Sequence, residues 1–227
     1  MKSSEELKRT QPEPLKTVQS TSASYVNILL YPLPIRVFHW VLVASLSLTI
    51  ISGLMISFAY ALFPMRTIRF VHISAGFVAF SIVLYRLGYA FVSGDYINFS
   101  IKLKDFKTFP ELAKYYLFLR QNPPPLRTKY NIEQKITILS WLIGIFYQTF
   151  AGIMLLNPAF VSKSTVLSIM SKLILPQQLR TTKYFISIYF IMTIMLHIYL
   201  AHTEDIAKSQ SILTGWVRVK RKGKNQG

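Results

Sequence analysis

A chain of 227 residues suits one domain, and its 52% hydrophobic content is gathered into long runs with the charge outside them, which points to a membrane protein rather than a soluble core. With no cysteine it can hold no disulfide, no thiolate-bound zinc or iron–sulfur cluster and no covalently attached haem, so a haem would have to be held by His, Met or Lys. A formal net charge of +17 would suit nucleic acid, but the basic residues flank apolar spans, as membrane topology requires, and nucleic acid is set aside as a partner.

Residues 1–30 open the chain as an N-terminal tail. Its first part, MKSSEELKRTQPEPLKTVQSTSAS, is polar and rich in Ser, Thr and Pro, and reads as disordered and cytoplasmic; no signal peptide is evident. Residues 31–206 form the domain. The first predicted span runs from Val37 to Phe63 and is stopped by Pro64, and the second runs from Ile68 to Val92 and is ended by Gly94 and Asp95. A long basic loop follows. Its FPELAKYYLFLRQNPPP segment begins with a proline near a helix start and ends in a proline run, which predicts a helix lying on the membrane surface with Tyr115, Tyr116 and Phe118 at headgroup level. The third span runs from Ile136 to Leu156, ended by Asn157 and Pro158. The segment SKSTVLSIMSKLILP is a second candidate interfacial helix, and the fourth span covers Lys183 to Ala201. Residues 207–227 are a basic tail whose VRVKRKGK run suits anionic lipid. The expected architecture is an all-α integral membrane four-helix bundle with interfacial helices.

Most of the 26 Lys and Arg residues lie in the N-terminal segment, the loop between spans two and three, and the C-terminal tail. Four spans put these three regions on one side, so both termini are expected in the cytoplasm and the protein in the inner membrane.

This orientation turns sequence position into depth. His39 begins span one and His197 lies near the end of span four, both at the cytoplasmic side, so the two can be axial ligands of one haem. His72 begins span two at the opposite side, and its natural partner belongs at the start of span four. Fourteen residues of helix rise about 21 Å and return to nearly the same face, a spacing that fits two stacked sites in one bilayer. His39 precedes Gly53 by that interval and His72 precedes Arg86 by it, so each helix would show one face to both sites. Gly53 then offers a gap for a flat macrocycle, and Arg86 a guanidinium suited to a haem propionate. Fourteen before His197 stands Lys183, where a chain carrying two bis-histidine haems should have a histidine.

Taken together, IRVFHW with Gly53 after it, IRFVHISAGF and YRLGYAFVSGDY, YLFLRQNPP, and LHIYLAHTEDI followed by ILTGWVRVKRK resemble the b-type cytochrome subunit of membrane-bound nickel–iron hydrogenases, within the wider group that includes formate dehydrogenase cytochrome b subunits. The resemblance covers nearly all of residues 31–222. It implies a four-helix haem b protein that takes electrons from the hydrogenase small subunit, itself bound to the large subunit, and passes them to membrane quinone. It also implies that His39 and His197 hold the cytoplasmic-side haem, that His72 is one ligand of an outer haem, and that the second outer ligand falls on Lys183. His202 matches no family ligand, and at five residues from His197 it points about 140° away. Three outcomes follow from Lys183: the outer haem is absent; it is held by His72 with a vacant or substitute ligand, Lys183 serving only when deprotonated; or the chain is a diverged anchor that no longer conducts.

Plainer readings stand beside these. His39 next to Trp40 suits an aromatic belt, and His197 suits an interhelical hydrogen bond. Arg86 suits a snorkelling side chain. Gly53 and Gly76 admit a haem edge or simply let helices pack closely, and Met192 and Met195 read as packing. His202 reads as a surface residue, or one near a quinone with Glu204 and Asp205 supplying proton transfer. The leading expectation is an electron-transfer subunit with no catalytic residues of its own. The runner-up is the cytochrome b subunit of another respiratory complex, for formate or a sulfur compound. A haem-free scaffold and a transporter are the readings from other classes, and the spans show neither the internal repeat nor the carboxylates that suit a transporter.

Overall fold

A computed structural model describes residues 25–60, 62–117, 119–122, 130–156, 158–204 and 206–220. In chain order these give β1 (Tyr25–Leu29), α1 (Leu33–Ser57), α2 (Met65–Ser93), α3 (Tyr96–Phe99), α4 (Leu103–Phe106), α5 (Phe109–Tyr116), α6 (Ile132–Leu156), α7 (Pro158–Lys163), α8 (Thr165–Leu173), α9 (Pro176–Glu204), α10 (Ile206–Thr214) and β2 (Trp216–Lys220).

Four of these helices, α1, α2, α6 and α9, are long and apolar enough to cross a membrane. Their outward faces carry Ile51, Phe70, Ile143 and Phe185, all largely exposed. Helices satisfy their own backbone groups, so faces of this kind belong in hydrocarbon, and the protein is a multi-pass membrane bundle. Several boundaries move from the sequence expectation. Pro32 and Pro34 sit at the start of α1 and pull it back to Leu33, because proline favours a first helical turn. Pro176 does the same for α9, which begins well before the apolar run at Lys183. At the other end α1 stops at Ser57, since the chain must reverse before Pro64 and does so with Ala59 at φ 51°. Gly94, at φ 73°, ends α2 in the left-handed conformation that glycine adopts freely.

The helices pack in sequence, α1 on α2, α2 on α6 and α6 on α9, while α1 and α9 are not among the closely packed pairs. Small residues bring α1 and α2 together: Ser45 and Ser52 on one, and Ala75, Ala79 and Ala90 on the other, are buried. The serine hydroxyls donate to their own helix, Ser45 to the Val41 carbonyl at 2.8 Å and Ser52 to the Leu48 carbonyl at 2.5 Å, which makes them compact, satisfied spacers. Between α6 and α9 runs a ladder of polar contacts: Ser140 with the Tyr189 hydroxyl at 2.5 Å, Trp141 Nε1 donating to Thr193 Oγ1 at 2.9 Å, Gln148 Nε2 donating to the Lys183 carbonyl at 2.9 Å, and Tyr147 with Thr182. Midway through the bundle Val83, Ile145 and Phe190 are buried together, with Leu46 and Ile50 of α1 packed against them.

Residues 25–29, expected in the tail, form a strand instead. The alternating YVNIL pairs antiparallel with WVRVK, Leu29 opposite Trp216 and Tyr25 opposite Lys220, and both segments are rich in β-branched and aromatic residues. Helix α10 and β2 likewise occupy part of the expected C-terminal tail. The sheet is tied to α1: the backbone amides of Leu30 and Tyr31 donate to the Gly215 carbonyl at 2.9 and 3.1 Å, the Arg36 guanidinium donates to the Leu213 carbonyl, and Trp40 Nε1 donates to the Ile212 carbonyl at 3.4 Å. A Cβ at Gly215 would meet the Tyr31 carbonyl oxygen at 3.1 Å, so this junction requires glycine. The bundle thus has a sheet end, which carries these strands, and an opposite, far end.

The predicted surface helix after span two appears as α5, with α3 and α4 before it. Phe118 and the proline run at 123–125 lie outside the described residues. Helix α4 is anchored through Lys135, which is 3% exposed and donates from Nζ to Asp105 Oδ2 at 2.8 Å and to the Ser100 carbonyl at 3.0 Å. The second expected interfacial helix appears as α8, capped by Ser164, whose hydroxyl accepts from the Leu167 amide. The first 24 residues and the last seven are outside the described residues, and the expectation of a disordered start falls there.

Candidate functional site

Depth along the four spans sorts the candidate residues into two levels. His39 is six residues past the start of α1, and His197 seven residues before the end of α9, both about 10 Å in from the sheet end. His72 and Lys183 are each seven residues past the starts of α2 and α9, about 10 Å in from the far end. The central Val83–Ile145–Phe190 layer lies between the two levels.

At the sheet end, His39 and His197 come within electrostatic reach of one another although their helices do not pack closely. His39 is half-buried, its ring set edge-on to Trp40 at 5.1 Å, and its Nδ1 is buried with no hydrogen-bond partner among the described residues. His197 is exposed and stands edge-on to Trp141 at 5.7 Å. Trp141 is itself fixed by its bond to Thr193, one turn before His197 on α9. Tryptophan and threonine thus set the face that His197 presents, and sequence reading singled out neither. Arg86 reaches the same level from α2, with its guanidinium carbon 5.9 Å from the Phe38 ring and 4.9 Å from the Phe99 ring. It forms a buried ion pair with Asp95. Tyr130 sits beside this pair outside the spans; burial, aided by the Asp95 carboxylate, pushes its hydroxyl well above the usual tyrosine range.

At the far end, His72 is held firmly. Its Nδ1 lies 3.0 Å from the Thr49 carbonyl oxygen and 3.2 Å from Ser52 Oγ. A carbonyl only accepts, so Nδ1 carries the proton and donates, and Nε2 keeps its lone pair. Gly53 permits this approach: a Cβ there would lie 3.1 Å from His72 Cε1. The glycine therefore makes room for the imidazole itself. Gly76, one turn after His72, has nothing within 4 Å of where a Cβ would stand, so that side is open. Lys183 lies within electrostatic reach of His72. Its Nζ donates to the Gln148 carbonyl at 3.1 Å, beside Gly152 of α6. Thr49, Ser52 and Gln148 were missed by sequence reading; the only signal was that Thr49 and Ser52 lie one turn apart beside Gly53.

His202 is on the surface at the end of α9, with Nδ1 2.8 Å from the Ile198 carbonyl of its own helix. Asp205 and the Glu204 side chain lie outside what is described, so the proton-transfer reading of this corner falls there. Among the described residues no group of three or more His, Asp or Glu side chains could hold a bare metal ion.

The sequence profile of the prokaryotic cytochrome b561 family matches residues 30–215, and the chain belongs to that family. It is similar to the probable Ni/Fe-hydrogenase B-type cytochrome subunit of Azotobacter vinelandii, 26% identical over 220 residues covering 88% of this chain and 90% of the relative. It is also similar to the protein of the same name from Rhizobium leguminosarum bv. viciae, 24% identical over 212 residues covering 86% and 89%. A b-type cytochrome family implies haem b. The donors at the sheet end fit that group: two imidazoles at one depth lie within electrostatic reach of each other on helices that do not pack closely, and one has a buried ring nitrogen with no partner among the described residues.

Proposed function

We propose that this chain is the membrane-anchoring haem b subunit of a nickel–iron-hydrogenase-type complex, with His39 and His197 as the axial ligands at the sheet end. The observation that carries the reading is the convergence of these two side chains at one depth from the first and last spans. The names of the relatives support the partner, and the basic residues around the sheet end support placing that end and both termini in the cytoplasm, with the spans in the inner membrane.

When bound, haem b supplies a one-electron carrier, and through it the complex would pass reducing equivalents from the partner's small subunit to membrane quinone. The protein's part is to bind and orient. His39 and His197 offer neutral imidazoles, and Trp141, pinned by Thr193, limits rotation of His197. Arg86 donates to Asp95 and retains further N–H donors of its five, enough to meet a propionate carboxylate at the same level. Gly76 offers a place for a macrocycle edge, and Gly53 acts one step removed by admitting the His72 ring.

A reduced-minus-oxidised spectrum of the purified full chain tests this. A b-type Soret and α band, reduced in His39→Ala and in His197→Ala, is the expected result. A wild-type preparation with no Soret band overturns the reading and leaves a scaffold. The co-purifying subunits identify the partner: hydrogenase chains and hydrogen-driven quinone reduction in liposomes are expected, and a formate or sulfur oxidoreductase in their place would overturn that part.

A further inference from the structure

We propose that α10 is a strap that sets the place of His39 relative to His197, with Arg36 and Trp40 as its positioning residues. The proposal rests on the reading above, since that placement matters only where the two imidazoles serve one haem.

The first support is a gap in the packing. Helices α1 and α9 carry the two imidazoles, yet they are not among the closely packed pairs. Spans that do not interlock cannot fix one another's rotation or height through their side chains. Helix α10 supplies the missing link. It packs against α9, and the Ser209 hydroxyl donates to the Ala201 carbonyl, one turn beyond His197. At its other end it reaches α1, where the Arg36 guanidinium donates to the Leu213 carbonyl and Trp40 Nε1 to the Ile212 carbonyl at 3.4 Å. Residues 36 and 40 are about one helical turn apart and leave α1 on one side, with His39 about 60° round from Arg36.

The second support is the chemistry of the join. The last carbonyls of a helix have no partner within it, and they carry the negative end of its dipole. In α10 the Ser211 carbonyl accepts from the Gly215 amide at 2.7 Å, and the next two carbonyls accept from the α1 side chains. The chain then turns at Gly215, with φ 91°, and its carbonyl takes the Leu30 and Tyr31 amides just ahead of α1. A Cβ at Gly215 would stand 3.3 Å from an Arg36 guanidinium nitrogen, so this glycine also leaves room for the cation.

The third support is the route to the imidazole. His39 Nδ1 has no hydrogen-bond partner among the described residues, so the ring takes its place from its neighbours. Trp40 is edge-on to it at 5.1 Å, and the bond to Ile212 holds that indole by its N–H. A clasp that only kept the two ends of the chain together would need the strand pairing alone. Here two further bonds come from residues that flank a single histidine, three before it and one after.

The test uses the full chain purified from membranes. Haem is counted against protein, the imidazole geometry is read from the low-spin electron paramagnetic resonance signal, and carbon monoxide probes how firmly the sixth position is held. Trp40→Phe keeps an aromatic ring beside His39 and deletes only the N–H. It should retain haem with a shifted or broadened low-spin signal. Arg36→Ala should raise the carbon-monoxide-reactive fraction about tenfold, the scale of one hydrogen bond from a charged group. Arg36→Lys, which can still donate to the Leu213 carbonyl, should restore most of the wild-type behaviour. Wild-type signal and reactivity in both Trp40→Phe and Arg36→Ala overturn the strap and spare the axial assignment. Failure of Arg36→Lys to rescue, with reactivity in all three variants following the loss of thermal stability alone, also overturns it. A wild-type chain without haem overturns the earlier reading and this one with it.

Discussion

The two ends of the bundle are built differently. At the sheet end the nitrogen groups are chemically matched, two histidines, but among the described residues neither ring is held by a backbone carbonyl, and one ring nitrogen is buried without a partner. At the far end the donors are mismatched, a histidine and a lysine, but each is anchored by a helix carbonyl, Thr49 for one and Gln148 for the other. The sheet end relies on aromatic packing, Trp40 beside His39 and Trp141 beside His197, and the far end on hydrogen bonds. Aromatic contact restricts a ring without choosing its tautomer, whereas a carbonyl chooses it outright. Matched imidazoles at one end and a preset tautomer at the other are therefore two ways of holding nitrogen groups inside hydrocarbon.

The sharpest way to break the contrast is to delete a sheet-end imidazole. If His39 is an axial donor, as proposed, His39→Ala should abolish the b-type Soret band, as a haem count on purified protein will show. Next in size is a change in the shared middle. A Cβ at Gly144 would lie 2.9 Å from Phe190 Cζ, so Gly144→Ala must displace that ring. The expected loss is about 1–3 kcal/mol, measured by thermal unfolding of the purified protein. Smaller still is Ser52→Ala. It removes one of two acceptors for His72 Nδ1–H and should cost about 0.5–1.5 kcal/mol, at the far end alone. The smallest is His202→Gln on the exposed end of α9, expected within about 0.5 kcal/mol of wild type in the same assay. A large effect there would mean that the sheet end extends further than Trp141 and His197.

Much of the fold was legible because membrane spans announce themselves by length and hydropathy, and the prolines at 64 and 158 and Gly94 punctuate them. The levels of His39, His197, His72 and Lys183 followed from helix direction and the fourteen-residue interval, which needs only regular helices. Side-chain partners were not legible. Nothing in the sequence distinguishes Thr49 and Ser52 from other hydroxyls that bond their own helix, and the choice of Trp141 as the neighbour of His197 depends on the rotation of α6 about its axis. Gly53 was expected to leave a gap for a macrocycle, and periodicity could not say that the group beside it is the His72 ring. The strands were lost for another reason: YVNIL and WVRVK lie nearly 190 residues apart, and two short segments beside long apolar spans look like flanks until they pair.

That pairing has a consequence for how the molecule is made. The sheet joins the first described segment to the last, and the His39–His197 level joins the first span to the fourth, so the level waits for α9 and the sheet for residues 216–220. A nascent chain released early has three spans and a lone His39. A haem gripped from both sides there, as proposed, must then wait for α9, and the strand clasp keeps the segments that flank the first and fourth spans together.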